Sequence, residues 1–209
     1  MIGFYNYTVI LTYVSLLISV TGIFSAVDNN LSEAVVCLML SGFCDMFDGK
    51  IARTKKSRTH SEKRFGIQID SLCDLICFGV LPAVIGYQLN DISKLYILVA
   101  AVFVLAGLIR LAYYNVTEEE RQDETDENRK YFKGLPITSS ALIIPLIYCL
   151  ARYAPIPNAS LLYTVTLFFM AVAYIAPIRI KKPHSKGMVV MALIGLVEFF
   201  MVLIDFSKL

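Results

Sequence analysis

Asp45, Asp48, Asp70 and Asp74 stand in or beside strongly apolar stretches of this chain, where carboxylates are rare. The first pair lies at i, i+3 at the end of the run Leu31–Phe47, and the second at i, i+4 at the start of the run Ile67–Leu89. On helices both spacings set the two carboxylates of a pair on one face. A carboxylate at the centre of a membrane helix costs roughly 2.5–3.5 kcal/mol, so four of them need compensation. A divalent cation provides it, because it turns repulsion among carboxylate oxygens into a binding site. An all-oxygen site of this kind suits Mg²⁺ or Mn²⁺, and one or two such ions could hold a diphosphate and stabilise a leaving phosphoryl group. A carboxylate not committed to metal could take a proton from an attacking hydroxyl. Between the pairs, Gly49 and Gly66 remove side chains where a bulky ligand would be crowded, and Arg53 offers a planar fork for phosphate.

The elements that must carry these residues are membrane helices. Of the 209 residues 57% are hydrophobic and 17% charged, with a mean hydropathy of +0.65. A soluble domain would hold about 45–50% and about 25% respectively, so the chain is shifted toward lipid on both counts. Runs near the roughly 20 residues that a bilayer core requires recur along the chain. The pattern predicts an all-α integral membrane protein of about seven spans, with six to eight compatible: 7–27, 31–53, 65–88, 92–116, 135–153, 160–178 and 188–206. No internal repeat is evident, so residues 1–209 read as a single polytopic domain, and the first run reads as a retained anchor rather than a cleaved leader.

Charge sets the expected orientation. Three alternate loops carry most of the nineteen Lys and Arg residues: 53–64, 121–133 and 179–186. By the positive-inside rule these loops and the N-terminus are cytoplasmic, which puts both aspartate pairs at the cytoplasmic ends of the second and third spans. The expected setting is a cell (plasma) membrane with the site facing the cytosol.

Written out, the region is Asp45-x2-Asp48-Gly49-x2-Ala52-Arg53, a spacer of twelve residues, then Gly66-x3-Asp70-x3-Asp74. This string resembles the signature of the CDP-alcohol phosphatidyltransferases at all eight defining positions, and departs from it only in a longer spacer. The resemblance implies transfer of a phosphatidyl group from a CDP-linked lipid to an alcohol, with release of CMP, by a homodimeric enzyme. It further implies that Asp45, Asp48 and Asp70 bind metal and that Asp74 is a further ligand or the general base, a role also open to Asp70. Asp48, Gly49, Ala52, Arg53 and Gly66 would line the cytidine-diphosphate pocket. In the first helix the family supplies hydroxyl or amide groups toward the nucleotide, and Thr12, Ser15 and Ser19 share one helix face there. Such hydroxyls also serve membrane-helix packing.

Two further stretches bear on the acceptor. Residues 109–116, Ile-Arg-Leu-Ala-Tyr-Tyr-Asn-Val, and residues 132–138, which open Phe-Lys-Gly-Leu-Pro, are similar to segments of phosphatidylserine synthases. The substrates implied are CDP-diacylglycerol and L-serine. Arg110 is the basic residue deepest in a span, where it could pair with an aspartate or bind a lipid phosphate or the serine carboxylate. Lys133 beside Gly134 could hold an anion at a helix start, and Asn115 and Thr138 are polar residues at the same level. Glycerol 3-phosphate or inositol phosphate as acceptor would need more cations beside the cluster than Arg110 alone. A cation transporter is a weaker reading still, since transport sites tend to sit near the midplane.

Other features read more simply. Residues 118–127 are acidic and read as a solvated loop. Cys73 and Cys77 read as small packing residues rather than metal ligands. No basic stripe suggests a nucleic-acid partner; the lysine-rich loops suit topology and anionic membrane lipid.

Overall fold

The computed structural model describes residues 3–52, 54–55, 59–89, 94–124, 131–154, 156–181 and 185–206. The chain folds as helices α1 (Ile10–Val27), α2 (Leu31–Ala52), α3 (His60–Asp74), α4 (Leu81–Leu89), α5 (Lys94–Glu124), α6 (Ser140–Tyr153), α7 (Ala159–Ile175) and α8 (Ser185–Phe206). A π-helical segment, Leu75–Val80, joins α3 to α4 without a break. Three helical stretches are long and apolar enough to cross a membrane, Tyr7–Val27, His60–Leu89 and Lys94–Arg121, and shorter apolar helices cover Ile137–Tyr153, Ala159–Ile175 and Val189–Ile204. Among the described residues the regular structure is helical apart from one small two-stranded ribbon, and the protein is an all-helical membrane protein in class.

The α1–α2 hairpin turns at Asn29, whose positive φ of 62° an asparagine tolerates. The two helices pack closely through small residues. Ser19 Oγ lies 2.7 Å from Ser41 Oγ, and Ser41 Oγ donates to the Ser15 carbonyl at 3.1 Å. Interhelical hydroxyl pairs of this kind hold membrane helices together where lipid removes the hydrophobic drive. The N-terminus of α3 is fixed by a capping box, in which Thr59 accepts from the Glu62 backbone and the Glu62 carboxylate accepts from the Thr59 backbone. Lys55 adds an ion pair to Glu62 at 2.9 Å.

The π segment has an identifiable cause. Pro82 lacks the N–H that would bond the carbonyl four residues back, so the helix widens before it. The Phe78 carbonyl is satisfied from another helix, accepting from Ser140 Oγ at 3.0 Å. Around the same turn Tyr163 Oη donates to the Pro82 carbonyl at 2.8 Å and Tyr96 Oη to the Ala83 carbonyl at 2.6 Å. Both tyrosines are fully buried and close over Gly86, where an added Cβ would collide with each of them. Gly86→Ala is therefore expected to destabilise the fold by about 1–3 kcal/mol, as overpacking does. A lowered thermal midpoint in detergent checks this, and an unchanged one would show that the tyrosines yield.

Two expectations are corrected here. Residues 118–124 are not loop: α5 runs on through them to Glu124. Two of its charges are matched and support the helix, Glu118 by Arg121 at 2.6 Å on the same helix and Glu119 by Arg64 of α3 at 3.4 Å. Residues 125–127 of that stretch lie outside the described residues. The sixth apolar stretch ends as a helix at Ile175 rather than 178, because Pro177 stops it and Arg179–Lys181 forms β2. That strand pairs antiparallel with β1, Tyr131–Lys133.

Candidate active site

Each aspartate pair sits on the helix that its spacing calls for. Asp45 and Asp48 lie in the last two turns of α2, and Asp70 and Asp74 in the last turns of α3. The two helices converge so that carboxylate oxygens of Asp45, Asp70 and Asp74 all lie within 4.8 Å of one another. Asp48 faces Asp70 at hydrogen-bonding range. All four side chains are half-buried rather than sealed. Like charges gathered this closely repel by several kcal/mol at a protein-surface dielectric, and a divalent cation among them reverses the sign. The donor set, carboxylate oxygens from two rigid helices, fits such an ion.

The neighbouring glycine supports a ligand-sized space. A Cβ built on Gly49 meets nothing within 4 Å, so no protein neighbour accounts for a glycine there. The position borders open room beside Asp48, as the edge of a ligand cradle would. Ala52 closes the same helix, one turn farther on. Gly66 lies on α3, one turn before Asp70, and Arg53 falls outside the described residues.

Arg110 is buried on α5 with its guanidinium over the Tyr114 ring at 5.9 Å. Its charge is near enough to act on both Asp45 and Tyr174. Asn115 is buried and held by α3: it accepts from Ser71 Oγ at 2.7 Å and donates to Gln68 Oε1 at 3.3 Å. Ser71 lies between Asp70 and Asp74, so Asn115 fixes the rotation of the helix that aims both. Asn115 stands out in the sequence as a polar residue in a span, whereas Ser71 and Gln68 give no signal there, because the contacts join residues 44 and 47 positions apart.

Lys133 donates to Tyr113 Oη at 2.7 Å. Thr138 lies half-buried in the 3-10 turn Ile137–Ser139 that leads into α6. Thr12, Ser15 and Ser19 are buried on α1. Ser15 and Ser19 bond to α2, and the Thr12 carbonyl accepts from Cys73 Sγ at 3.2 Å. Cys73 and Cys77 are buried 3.5 Å apart on the α1 side of the helix, packing as small residues do. An open apolar groove of about 500 Å³ is lined by Leu75, the residue after Asp74, and by Ala83, Ala100, Ala101, Val104, Leu105 and Leu108 of α4 and α5.

A family model described as CDP-alcohol phosphatidyltransferase matches residues 5–178, which contain every one of these groups; β2 and α8 lie beyond the match. The chain belongs to the CDP-alcohol phosphatidyltransferase family. Among curated relatives of this family, it is similar to a CDP-diacylglycerol–serine O-phosphatidyltransferase of Saccharomyces cerevisiae, 37% identical over 54% of this chain and 41% of the yeast protein. An archaetidylserine synthase of Methanothermobacter thermautotrophicus is 32% identical over 84% of this chain and 66% of its own length. A CDP-diacylglycerol–serine O-phosphatidyltransferase of Methanocaldococcus jannaschii is 30% identical over 83% and 74% respectively. The chain thus spans less than half of the yeast relative and about two thirds to three quarters of the two archaeal ones.

Proposed function

We propose that the protein transfers the phosphatidyl group of CDP-diacylglycerol to the hydroxyl of L-serine, giving phosphatidylserine and CMP. The observation that carries this reading is the meeting of Asp45, Asp70 and Asp74 from two helices, with Asp48 beside them and open room at Gly49. Serine as the acceptor is supported by the relatives: their printed names differ in the lipid and agree in the serine.

Asp45, Asp48, Asp70 and Asp74 would hold one or two Mg²⁺ or Mn²⁺ ions, which when bound neutralise the diphosphate oxygens. The protein's own groups do the rest. Asp74, or Asp70 beside it, accepts the proton of the serine hydroxyl as that oxygen attacks the lipid-linked phosphorus. The bond from this phosphorus to the CMP oxygen breaks, and CMP leaves. Asp48, Gly49, Ala52, Arg53 and Gly66 border the cytidine diphosphate, with Thr12, Ser15 and Ser19 behind them. Arg110, its charge within range of Asp45, takes the serine carboxylate or the lipid phosphate, with Lys133 and Thr138 at the rim. Asn115 is a positioning residue for Asp70 and Asp74. The open groove at Leu75 would offer an acyl chain an apolar surface.

The setting follows from charge. The basic loops and the site share one side, which the positive-inside rule assigns to the cytosol together with the N-terminus. We infer a single domain of seven spans in the plasma membrane, acting as a homodimer. The test supplies purified protein with CDP-diacylglycerol and, in turn, L-serine, glycerol 3-phosphate and inositol phosphate. CMP release with serine alone is the expected result. Release with glycerol 3-phosphate and none with serine would overturn the acceptor assignment.

A further inference from the structure

The β1–β2 ribbon brings three cations onto one face. Its register sets Lys133 directly opposite Arg179 and Tyr131 opposite Lys181. Directly opposed residues of an antiparallel pair share a face, so Tyr131, Lys133, Arg179 and Lys181 point the same way. All four are exposed, whereas Ile180, between the two cations of β2, is half-buried on the other side. Two like charges directly across a ladder are destabilising on their own.

Among the described residues no acidic side chain is paired with a ribbon cation. Between Glu127 and Glu198 the sequence contains no Asp or Glu. Among the described residues the ion pairs are Lys55–Glu62, Arg64–Glu119 and Arg121–Glu118, none of which uses a ribbon cation. The fold nevertheless holds the ribbon firmly. The Gly134 N–H donates to the Ile178 carbonyl at 2.8 Å and the Leu135 N–H to the Ala173 carbonyl at 2.9 Å. Gly134 has a φ of +76°, and a Cβ there would collide with the Tyr174 carbonyl oxygen. A clamped ribbon whose opposed cations lie outside every ion pair among the described residues offers a ready face to an anion.

Its place in the fold names the anion. The ribbon joins the entry of α6 to the exit of α7, two apolar helices, and Lys133 ties it to Tyr113 near the end of α5 where Asn115 meets α3. It therefore lies at the polar boundary of the helices, at the end of the bundle that holds the aspartates. Phosphate at that level belongs to bilayer headgroups, and the exposed Tyr131 beside Lys181 suits the same zone. We propose that the ribbon is a binding site for an anionic glycerophospholipid headgroup, distinct from the lipid being converted. Lys133 also figures in the catalytic reading, so the test leaves it in place and reads binding rather than turnover.

The full chain is reconstituted in phosphatidylcholine nanodiscs doped with phosphatidylglycerol, and retained phosphatidylglycerol is counted by native mass spectrometry. Arg179→Gln with Lys181→Gln is expected to weaken retention roughly tenfold or more, as loss of two headgroup-facing charges should. The charge-keeping pair Arg179→Lys with Lys181→Arg retains the lipid, and Lys94→Gln with Arg152→Gln, at the opposite end of the bundle, leaves it unchanged. Excess inorganic phosphate does not displace it. Equal retention in the Arg179→Gln, Lys181→Gln protein, equal loss in the opposite-end control, or displacement by phosphate would each overturn the proposal. These outcomes do not depend on whether serine is the acceptor.

Discussion

Asp74→Asn is expected to lower CMP release roughly 10²–10⁴-fold, the range for removing a general base. The substitution keeps size and hydrogen-bonding capacity while deleting the charge and the proton-accepting oxygen. Asp74 closes α3 with its carboxylate against that of Asp45 on α2 and of Asp70 one turn back. It is the residue after which the helix widens into the π segment, so its direction is fixed from both sides. Asn115 holds Ser71 on the same stretch, and the Phe78 carbonyl is tied to Ser140. A neutral isostere should therefore disturb chemistry far more than structure. The check is CMP release by purified protein with CDP-diacylglycerol and serine, beside a circular dichroism melt. Normal turnover in Asp74→Asn would remove it as the base, and Asp70→Asn would become the next variant to measure.

The second large effect concerns divalent cations. Chelation is expected to abolish turnover, and Mg²⁺ or Mn²⁺ to restore it. Asp45→Asn should raise the metal concentration needed by roughly tenfold or more, since ligand charge sets affinity at all-oxygen sites. Stability should move in the opposite direction. Without metal, removing one of three carboxylates gathered within 4.8 Å relieves repulsion, so Asp45→Asn should melt at or above the wild-type temperature. With metal, the wild type gains more: ligand at a hundred times its dissociation constant adds about 2.7 kcal/mol, against about 1.4 kcal/mol for a variant that binds tenfold more weakly. Melting curves with and without Mn²⁺ for both proteins read both signs at once. A wild-type melt indifferent to Mn²⁺ would speak against the cluster as the metal site.

What the sequence made legible was local. The i, i+3 and i, i+4 spacings of the aspartates needed only helical geometry to become a converging set. Arg110 stands out because charge deep in an apolar run calls for a partner, and the fold brings its charge within range of Asp45. Long-range causes were not legible. Pro82 was visible, but the π segment before it is sustained by Ser140, Tyr163 and Tyr96, brought from other helices. The ion pair that ties residues 118–124 to α3 comes from Arg64, more than fifty residues earlier. The ribbon has three residues per strand, too few for an alternating pattern, and forms where Gly134 turns the chain onto the end of α7. One feature could have been read and was not: Thr59-x-x-Glu62 is a capping-box pattern that marks where α3 begins.

The central claim is that Asp45, Asp70 and Asp74 together hold the cation on which phosphatidyl transfer depends. Electron paramagnetic resonance of Mn²⁺, titrated into the purified protein in nanodiscs, tests it most directly. The account predicts saturable binding by the wild type, tightened by CDP-diacylglycerol and lost when Asp45, Asp70 and Asp74 are together replaced by Asn. Equal Mn²⁺ binding by the wild type and that triple variant would contradict it.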